Sequence, residues 1–77
     1  MIFDRELFGE RVRALRLKRG LTISQLAQAF DVKHPTISRW ENGLAGISIE
    51  NVCQISKFFN VSADYLLGLS SNLTKPI

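Results

Sequence analysis

Two short helical patterns follow one another between Leu21 and Gly43, with only a few residues between them. The first begins at Thr22 and has Gln25 three positions later, the spacing of a capping box that satisfies the exposed N–H groups of a first turn. The second has Pro35 in its first turn, where the missing N–H costs nothing, and a glycine where a left-handed residue can end a helix. The segment therefore predicts two capped helices joined by a tight turn.

The rest of the chain adds three more helical patterns and no strand-like alternation. Cap residues and apolar spacing place the five helices at about Arg5 to Lys18 or Arg19, Ile23 to Phe30, Pro35 to Asn42, Ser48 to Phe59, and Ser62 to Leu67. Five short helices with tight loops predict an all-α fold, a compact five-helix bundle. We expect one domain over residues 1–68 and a flexible tail over residues 69–77.

Apolar residues at helical spacing mark the predicted core. Trp40 is interpreted as a core residue and not as a stacking platform, and the lone Cys53 as a half-buried packing thiol. The other predicted core residues are Phe8, Val12, Leu15, Leu26, Ala27, Phe30, Ile37, Ile49, Val52, Ile55 and Phe59.

Composition argues against several classes of protein. No run of about 18 apolar residues is present, and the N-terminus lacks the apolar block of a signal peptide, so we expect a cytoplasmic protein without a membrane partner. One histidine and one cysteine, with no ligands at metal spacing and no phosphate-binding glycine loop, predict no metal, no cofactor, no small-molecule ligand and no enzymatic activity.

Positive charge is concentrated in one half of the chain. Residues 1–39 hold eight Lys/Arg against four Asp/Glu, whereas residues 40–77 hold two against three, for a net charge of +3. The basic half contains the two-helix unit. This asymmetry is typical of a surface that binds a polyanion, although an ordinary solvated surface has a similar charge.

The third helical pattern, residues 34–42, has a polar outer face suited to the major groove of DNA. At 100° per residue, Pro35, Arg39 and Asn42 lie opposite the inner residue Ile37. Arginine matches the two acceptors of guanine, while serine and threonine can contact bases or phosphates. The predicted groove-facing residues are His34, Pro35, Thr36, Ser38 and Arg39.

Three further residues are predicted to contact the DNA backbone: Asn42 at the far end of the third helix, and Thr22 and Ser24, where free N–H groups at the start of the second helix suit a phosphate. Each assignment has an ordinary alternative. An exposed arginine is usually just solvated, and His34 could be a helix cap.

Residues 8–68 resemble the phage repressor and Cro-type helix-turn-helix family, also called XRE-like. The resemblance lies in the segments RLKRGLTISQLAQ, TISRWENG and FFNVSADYLLG. It implies a five-helix DNA-binding domain whose third helix reads the major groove, usually as a homodimer on a palindromic operator. It also implies a buried ion pair between Arg16 and Glu41, and the same groove-facing positions named above.

The sequence departs from the family pattern in the turn, at the start of the second helix and in the loop after the third. Asp31 stands where glycine is frequent, so we expect an aspartate that tolerates the left-handed conformation. Ile23 replaces a frequent polar residue. Residues 44–47 are apolar where relatives carry basic residues, which predicts a flatter salt dependence of DNA binding.

These observations support two hypotheses. The first is a sequence-specific regulator of transcription, a repressor that binds double-stranded DNA as a homodimer. The second is a protein-interaction module that retains the fold without binding DNA. The apolar loop 44–47, together with Phe58 and Cys53, is a candidate contact surface under either hypothesis, and we favour a dimer contact.

Overall fold

The computed structural model describes residues 3–44 and 46–73, and these form five α-helices. They are α1 Arg5–Lys18, α2 Ile23–Ala29, α3 His34–Glu41, α4 Ile49–Phe59 and α5 Ala63–Leu67. The all-α prediction is confirmed, although α3 begins and ends one residue earlier than expected. None of the helices in the described ranges is long and apolar enough to cross a membrane.

Side-chain caps begin four of the five helices. Asp4 accepts from the N–H of Leu7 at 3.0 Å, and Ser62 accepts from the N–H of Tyr65 at 3.2 Å. Reciprocal capping boxes, in which the cap and the third helical residue bond to each other's backbone, begin α2 at Thr22 and α4 at Ser48. Because caps satisfy N–H groups that a helix leaves unpaired, they fix where each helix begins.

The predicted core is largely confirmed. The predicted residues that are buried are Phe8, Val12, Leu26, Ala27, Phe30, Ile37, Trp40, Val52, Ile55 and Phe59, with Leu15 packed against them. The buried cluster also contains Val61 and Leu66, which the sequence did not predict. Ile49 was wrongly assigned, since it is 81% exposed. It is the first residue of α4, on the rim of an open groove, beyond the point where neighbouring elements cover the helix.

Two further assignments on α4 also need correction. Cys53 is exposed and not half-buried, because Val52 and Ile55 hold the inward positions of the helix. Phe58, expected on an outer contact surface, is half-buried and packs edge-on against Phe30 and Phe59, with ring centroids 5.1 and 5.0 Å apart. Its ring therefore belongs to the chain's own aromatic cluster.

Residues 69–73 return toward α1 and the start of α5. Arg11 lies 4.0 Å from the ring centroid of Tyr65, and its guanidinium donates to the backbone carbonyls of Tyr65 and Ser70. The N–H of Ser62 donates to the carbonyl of Leu73 at 2.9 Å. Residues 74–77 lie outside the described part of the chain, so the flexible tail remains a prediction.

Candidate nucleic-acid interface

The turn between α2 and α3 depends on one left-handed residue. Asp31 has a φ of 55°, as the sequence predicted for an aspartate in place of glycine. The N–H of Val32 then donates to the carbonyl of Ala27 at 2.9 Å, which closes the turn against α2. This turn sets the direction in which α3 leaves.

Two buried residues hold the inner face of α3. Ile37 is 0% and Trp40 2% exposed, which confirms Trp40 as a core residue. The backbone of α3 also lies very close to α1 at Gly9, where an added Cβ would be 2.4 Å from the carbonyl oxygen of Trp40 and 2.6 Å from that of Glu41. Only glycine allows this approach, so it sets how deeply α3 is seated.

A bidentate ion pair fixes the end of α3. Arg16 Nε lies 2.6 Å from Glu41 Oε2, and Nη2 lies 3.0 Å from Oε1. The two side chains are 9% and 5% exposed. The hydrogen bond and charge of Glu41 raise the pKa of Arg16 above its ordinary value although burial lowers it, so the guanidinium stays cationic.

The same arginine contacts α2. Its Nη1 donates to the carbonyl of Leu21, directly before the cap of α2, at 2.8 Å. A single buried side chain of α1 therefore connects the start of α2 to the end of α3. Paired, hydrogen-bonded buried charges hold a defined geometry, and here that geometry is the angle of the helix-turn-helix unit.

The outer face of α3 is open to solvent. The structure brings the predicted groove-facing residues together there: His34, Pro35 and Arg39 are exposed, and Thr36 and Ser38 are half-buried. Within residues 3–44 and 46–73 no ion pair or hydrogen bond engages the Arg39 side chain. This guanidinium therefore has its donors available for an external acceptor.

Asn42 follows the last residue of α3 and is exposed. Its Nδ2 donates to the carbonyl of Ser38 at 2.8 Å and lies 3.3 Å from the Ser38 hydroxyl. The amide therefore completes the last turn of the helix and is held at its outer edge. Both recorded hydrogen bonds of this amide nitrogen go to Ser38, which fixes where the Asn42 side chain lies.

On α2, Thr22 and Ser24 are both exposed, but the expected free N–H at Thr22 is wrong. That N–H donates to Gln25 Oε1 at 2.8 Å, while the Thr22 hydroxyl accepts from the N–H of Gln25 at 3.0 Å. The capping box uses both groups. What Thr22 can still offer a phosphate is its hydroxyl proton.

Sequence reasoning missed Lys33. It is exposed, occupies the cap position of α3 without capping it through its side chain, and directly precedes His34. The sequence contained a signal for it. Proline is common at the first positions of a helix, so Pro35 is compatible with a helix that begins at His34 and has Lys33 as its cap residue. Lys33 adds a cation to the end of the outer face of α3.

Across the described ranges no three His, Cys, Asp or Glu side chains are placed to hold a metal ion. The surface offers hydrogen-bond donors and positive charge on the exposed face of a short helix, a combination that fits the edges of base pairs and the phosphates beside them.

Comparison with known proteins agrees with this geometry. Residues 12–66 match a family described as Helix-turn-helix. The transcriptional activator BcrR of Enterococcus faecalis is 42% identical over 60 residues, which is 78% of this chain and 29% of BcrR. Repressor protein C2 of Salmonella phage P22 is 37% identical over 62 residues, 80% of this chain and 29% of that protein. The chain thus spans less than a third of the length of these relatives.

Solved structures show the same fold. The P22 c2 repressor in complex with a synthetic operator superposes with a TM-score of 0.76 at 36% identity, covering 83% of this chain and 97% of that one. The clp gene regulator ClgR of C. glutamicum gives a TM-score of 0.72 at 27% identity, covering 87% of each chain. The chain therefore belongs to the phage repressor-like (XRE-like) helix-turn-helix family, as its sequence predicted.

Proposed function

We propose that this chain is a DNA-binding domain that regulates transcription, inserting α3 into the major groove of a specific double-stranded site. The observation that carries the proposal is the exposed Arg39, which no described residue engages in an ion pair or hydrogen bond. It lies on a short helix whose opposite face is held by Trp40 and the Arg16–Glu41 pair. A rigid helix that presents a planar donor pair is suited to reading guanine. The P22 c2 repressor, similar in sequence and fold, was solved with operator DNA.

Within that groove the residues have distinct proposed roles. Arg39 donates two hydrogen bonds to a guanine, while Thr36, Ser38 and His34 contact neighbouring base edges or phosphates. Pro35 offers only apolar contact. The DNA backbone is contacted by Asn42, by Lys33, and by Thr22 and Ser24 at the start of α2. These backbone contacts position α3 and carry no sequence information.

We infer that the domain acts as a homodimer on a palindromic operator and represses transcription. Two-fold proteins of this kind bind half-sites about one helical turn apart, roughly 34 Å. Repressor protein C2 is a relative with that role in its name, whereas BcrR is named an activator. The cytoplasmic location expected from the sequence belongs to this proposal, since the protein must share a compartment with its DNA.

The experiment that tests the proposal is selection of bound duplexes from random DNA, followed by fluorescence anisotropy with the selected sequence. We expect enriched sites with two-fold symmetry and an affinity that falls as salt rises. A scrambled duplex of the same length serves as the control. Equal affinity for both duplexes would reject specific recognition, and no salt-sensitive binding to either would reject DNA binding altogether.

A protein-interaction module remains the second candidate, because Leu44 and Ile49 are 57% and 81% exposed next to the proposed DNA surface. Under this alternative the same apolar side chains bind a protein partner and α3 stays free. The DNA selection separates the two candidates, because the second predicts no enriched sequence.

A further inference from the structure

A groove opens where the end of α1, the end of α4 and the segment after α5 come together. It is about 660 Å³ in volume, and it is lined chiefly by Leu15, Lys18, Arg19, Phe59, Val61 and Leu73. We call it the α1–α4 groove. Its volume falls within the range of about 300–1,000 Å³ that small-molecule sites occupy in proteins.

Most of the groove lining is apolar. Phe59 and Val61 are each 5% exposed and belong to the buried core, and Leu15 packs against that core. Leu73 is held at the edge by the N–H of Ser62, which donates to its carbonyl at 2.9 Å. An apolar ligand body can therefore lose contact with water along this surface.

Two cations lie among these apolar side chains. Lys18 and Arg19 are exposed, and within residues 3–44 and 46–73 neither has an ion-pair partner. No aspartate or glutamate lines the groove. Both α1 and α4 end here, and each helix C-terminus carries about half a negative charge. The two cations therefore leave about one positive charge for an external anion.

Aromatic rings hold one of these cations in place. The guanidinium carbon of Arg19 lies 5.2 Å from the ring centroid of Phe58 and 5.1 Å from that of Phe59. A guanidinium that contacts rings through its face keeps its N–H donors at the edge, and no hydrogen bond in the described part of the chain uses them. Such a planar donor pair fits the two oxygens of a carboxylate.

We propose that the α1–α4 groove binds a small amphipathic carboxylate, an organic acid with an aliphatic or aromatic body. Its carboxylate pairs with Arg19 and Lys18, and its body lies against Leu15, Val61 and Leu73. The sequence predicted no small-molecule ligand, because the lining comes from three separate parts of the chain that no local pattern brings together.

The size and position of the groove favour a small molecule over a macromolecule. A protein interface usually involves about 20–30 residues on each side, many more than line this groove. A nucleic-acid backbone would meet the two cations but would leave the apolar lining uncovered. No lining residue belongs to α2 or α3, so the proposed ligand and the proposed DNA contacts use different side chains.

The first experiment is an NMR titration of the ¹⁵N-labelled chain with sodium octanoate at constant ionic strength, without DNA. Octanoate has about ten non-hydrogen atoms, so we expect a dissociation constant on the order of millimolar. The largest amide shifts should occur at Lys18, Arg19 and Val61. Hexanoate should bind roughly 10-fold more weakly, because it lacks two methylene groups.

Two further ligands separate charge from apolar contact in the same titration. Octylammonium has the same alkyl chain with the opposite charge, and acetate has the carboxylate without the chain. We expect neither to give saturable shifts at the groove. A short peptide that combines glutamate and leucine tests whether a protein segment is the better occupant, and we expect it to bind more weakly than octanoate.

The second experiment removes the cations. The double variant Lys18→Gln, Arg19→Gln should bind octanoate about 10-fold more weakly, because two exposed ion pairs are lost. The matched control is Arg13→Gln, an exposed arginine of α1 that does not line the groove. Leu73→Glu keeps both cations and the ring contacts of Arg19, and its own carboxylate should compete with octanoate.

Several results would overturn the proposal. Absence of saturable shifts with octanoate would reject the site, and equal binding of octylammonium or acetate would reject an amphipathic anion. Unchanged affinity in the double variant, or an equal loss in Arg13→Gln, would place the carboxylate elsewhere. Tighter binding of the peptide would assign the groove to a protein segment. None of these results depends on DNA binding.

Discussion

Arg39 and Glu41 lie two positions apart on α3, but their side chains are in opposite environments. Two residues correspond to a rotation of about 200°, which places one side chain toward solvent and the other toward α1. Arg39 is exposed, whereas the Glu41 side chain is 5% exposed and bonded twice to Arg16. One side chain is open to an external partner, and the other holds the helix against α1.

Replacing Arg39 with alanine should relax specificity at one base pair. We expect the discrimination against the wrong base at that position to fall by about 1–3 kcal/mol, because the bidentate contact to guanine is lost. Competition anisotropy with duplexes changed at single positions measures this. Arg13→Ala, an exposed arginine of α1, removes the same charge and should leave the base preference intact.

Truncating Glu41 should destabilise the fold. Glu41→Ala leaves the Arg16 guanidinium buried without its partner, and we expect the free energy of unfolding to fall by about 3–5 kcal/mol in urea titration. The double variant Arg16→Met, Glu41→Leu removes both charges and should recover most of that loss. A loss below about 1 kcal/mol for the single variant would show that the pair is not held in a buried site.

For single residues, the sequence predicted which side chains are exposed or buried better than it predicted their hydrogen bonds. Periodicity placed Arg39 outside and Trp40 inside, because both follow from 100° per residue. The same residues could not reveal that Gln25 uses the N–H of Thr22. Lys33 was missed because the sequence placed the start of α3 at Pro35, whereas the helix begins at His34 and Lys33 occupies its cap position.

Among the elements, the crossing of α1 and α3 depends on Gly9. Alanine is the better helix former by about 1 kcal/mol, but its Cβ would lie 2.4 Å from a carbonyl oxygen of α3. The helices must then move apart. We expect Gly9→Ala to lower the free energy of unfolding by about 1–3 kcal/mol and to weaken DNA binding.

The matched control is Glu10→Ala, the adjacent exposed position of the same helix. It should change neither quantity by more than about 0.5 kcal/mol. Urea titration and anisotropy measure both variants. Unchanged stability in Gly9→Ala would mean that α1 and α3 can separate without cost.

Helix positions were predictable because caps and apolar spacing are local signals. The exposure of Ile49 and the burial of Phe58 were not, because each depends on which neighbour covers that part of α4. Periodicity assigns a side chain to a face but does not tell where the packing against that face ends. The three side chains whose burial was wrongly expected, Ile49, Cys53 and Phe58, therefore all lie on α4.

For the molecule as a whole, we expect only a few lysine and arginine side chains to contact phosphates, so DNA affinity should depend weakly on salt. The described loop residues Leu44, Gly46 and Ile47 provide no positive charge. Leu44→Lys should therefore steepen the slope of log K against log salt by about 0.9, the value for one added phosphate contact. Leu17→Lys adds the same charge on α1 and should leave the slope unchanged.

The contact between Arg16, Glu41 and the carbonyl of Leu21 has a genetic consequence. A screen for loss of the proposed repression should recover substitutions behind α3 as readily as on its outer face. A variant at Arg16 would fail to regulate although every base-reading side chain is intact. Its defect should be relieved by changes that stabilise the fold elsewhere, whereas a defect at Arg39 should be relieved only by altering the operator.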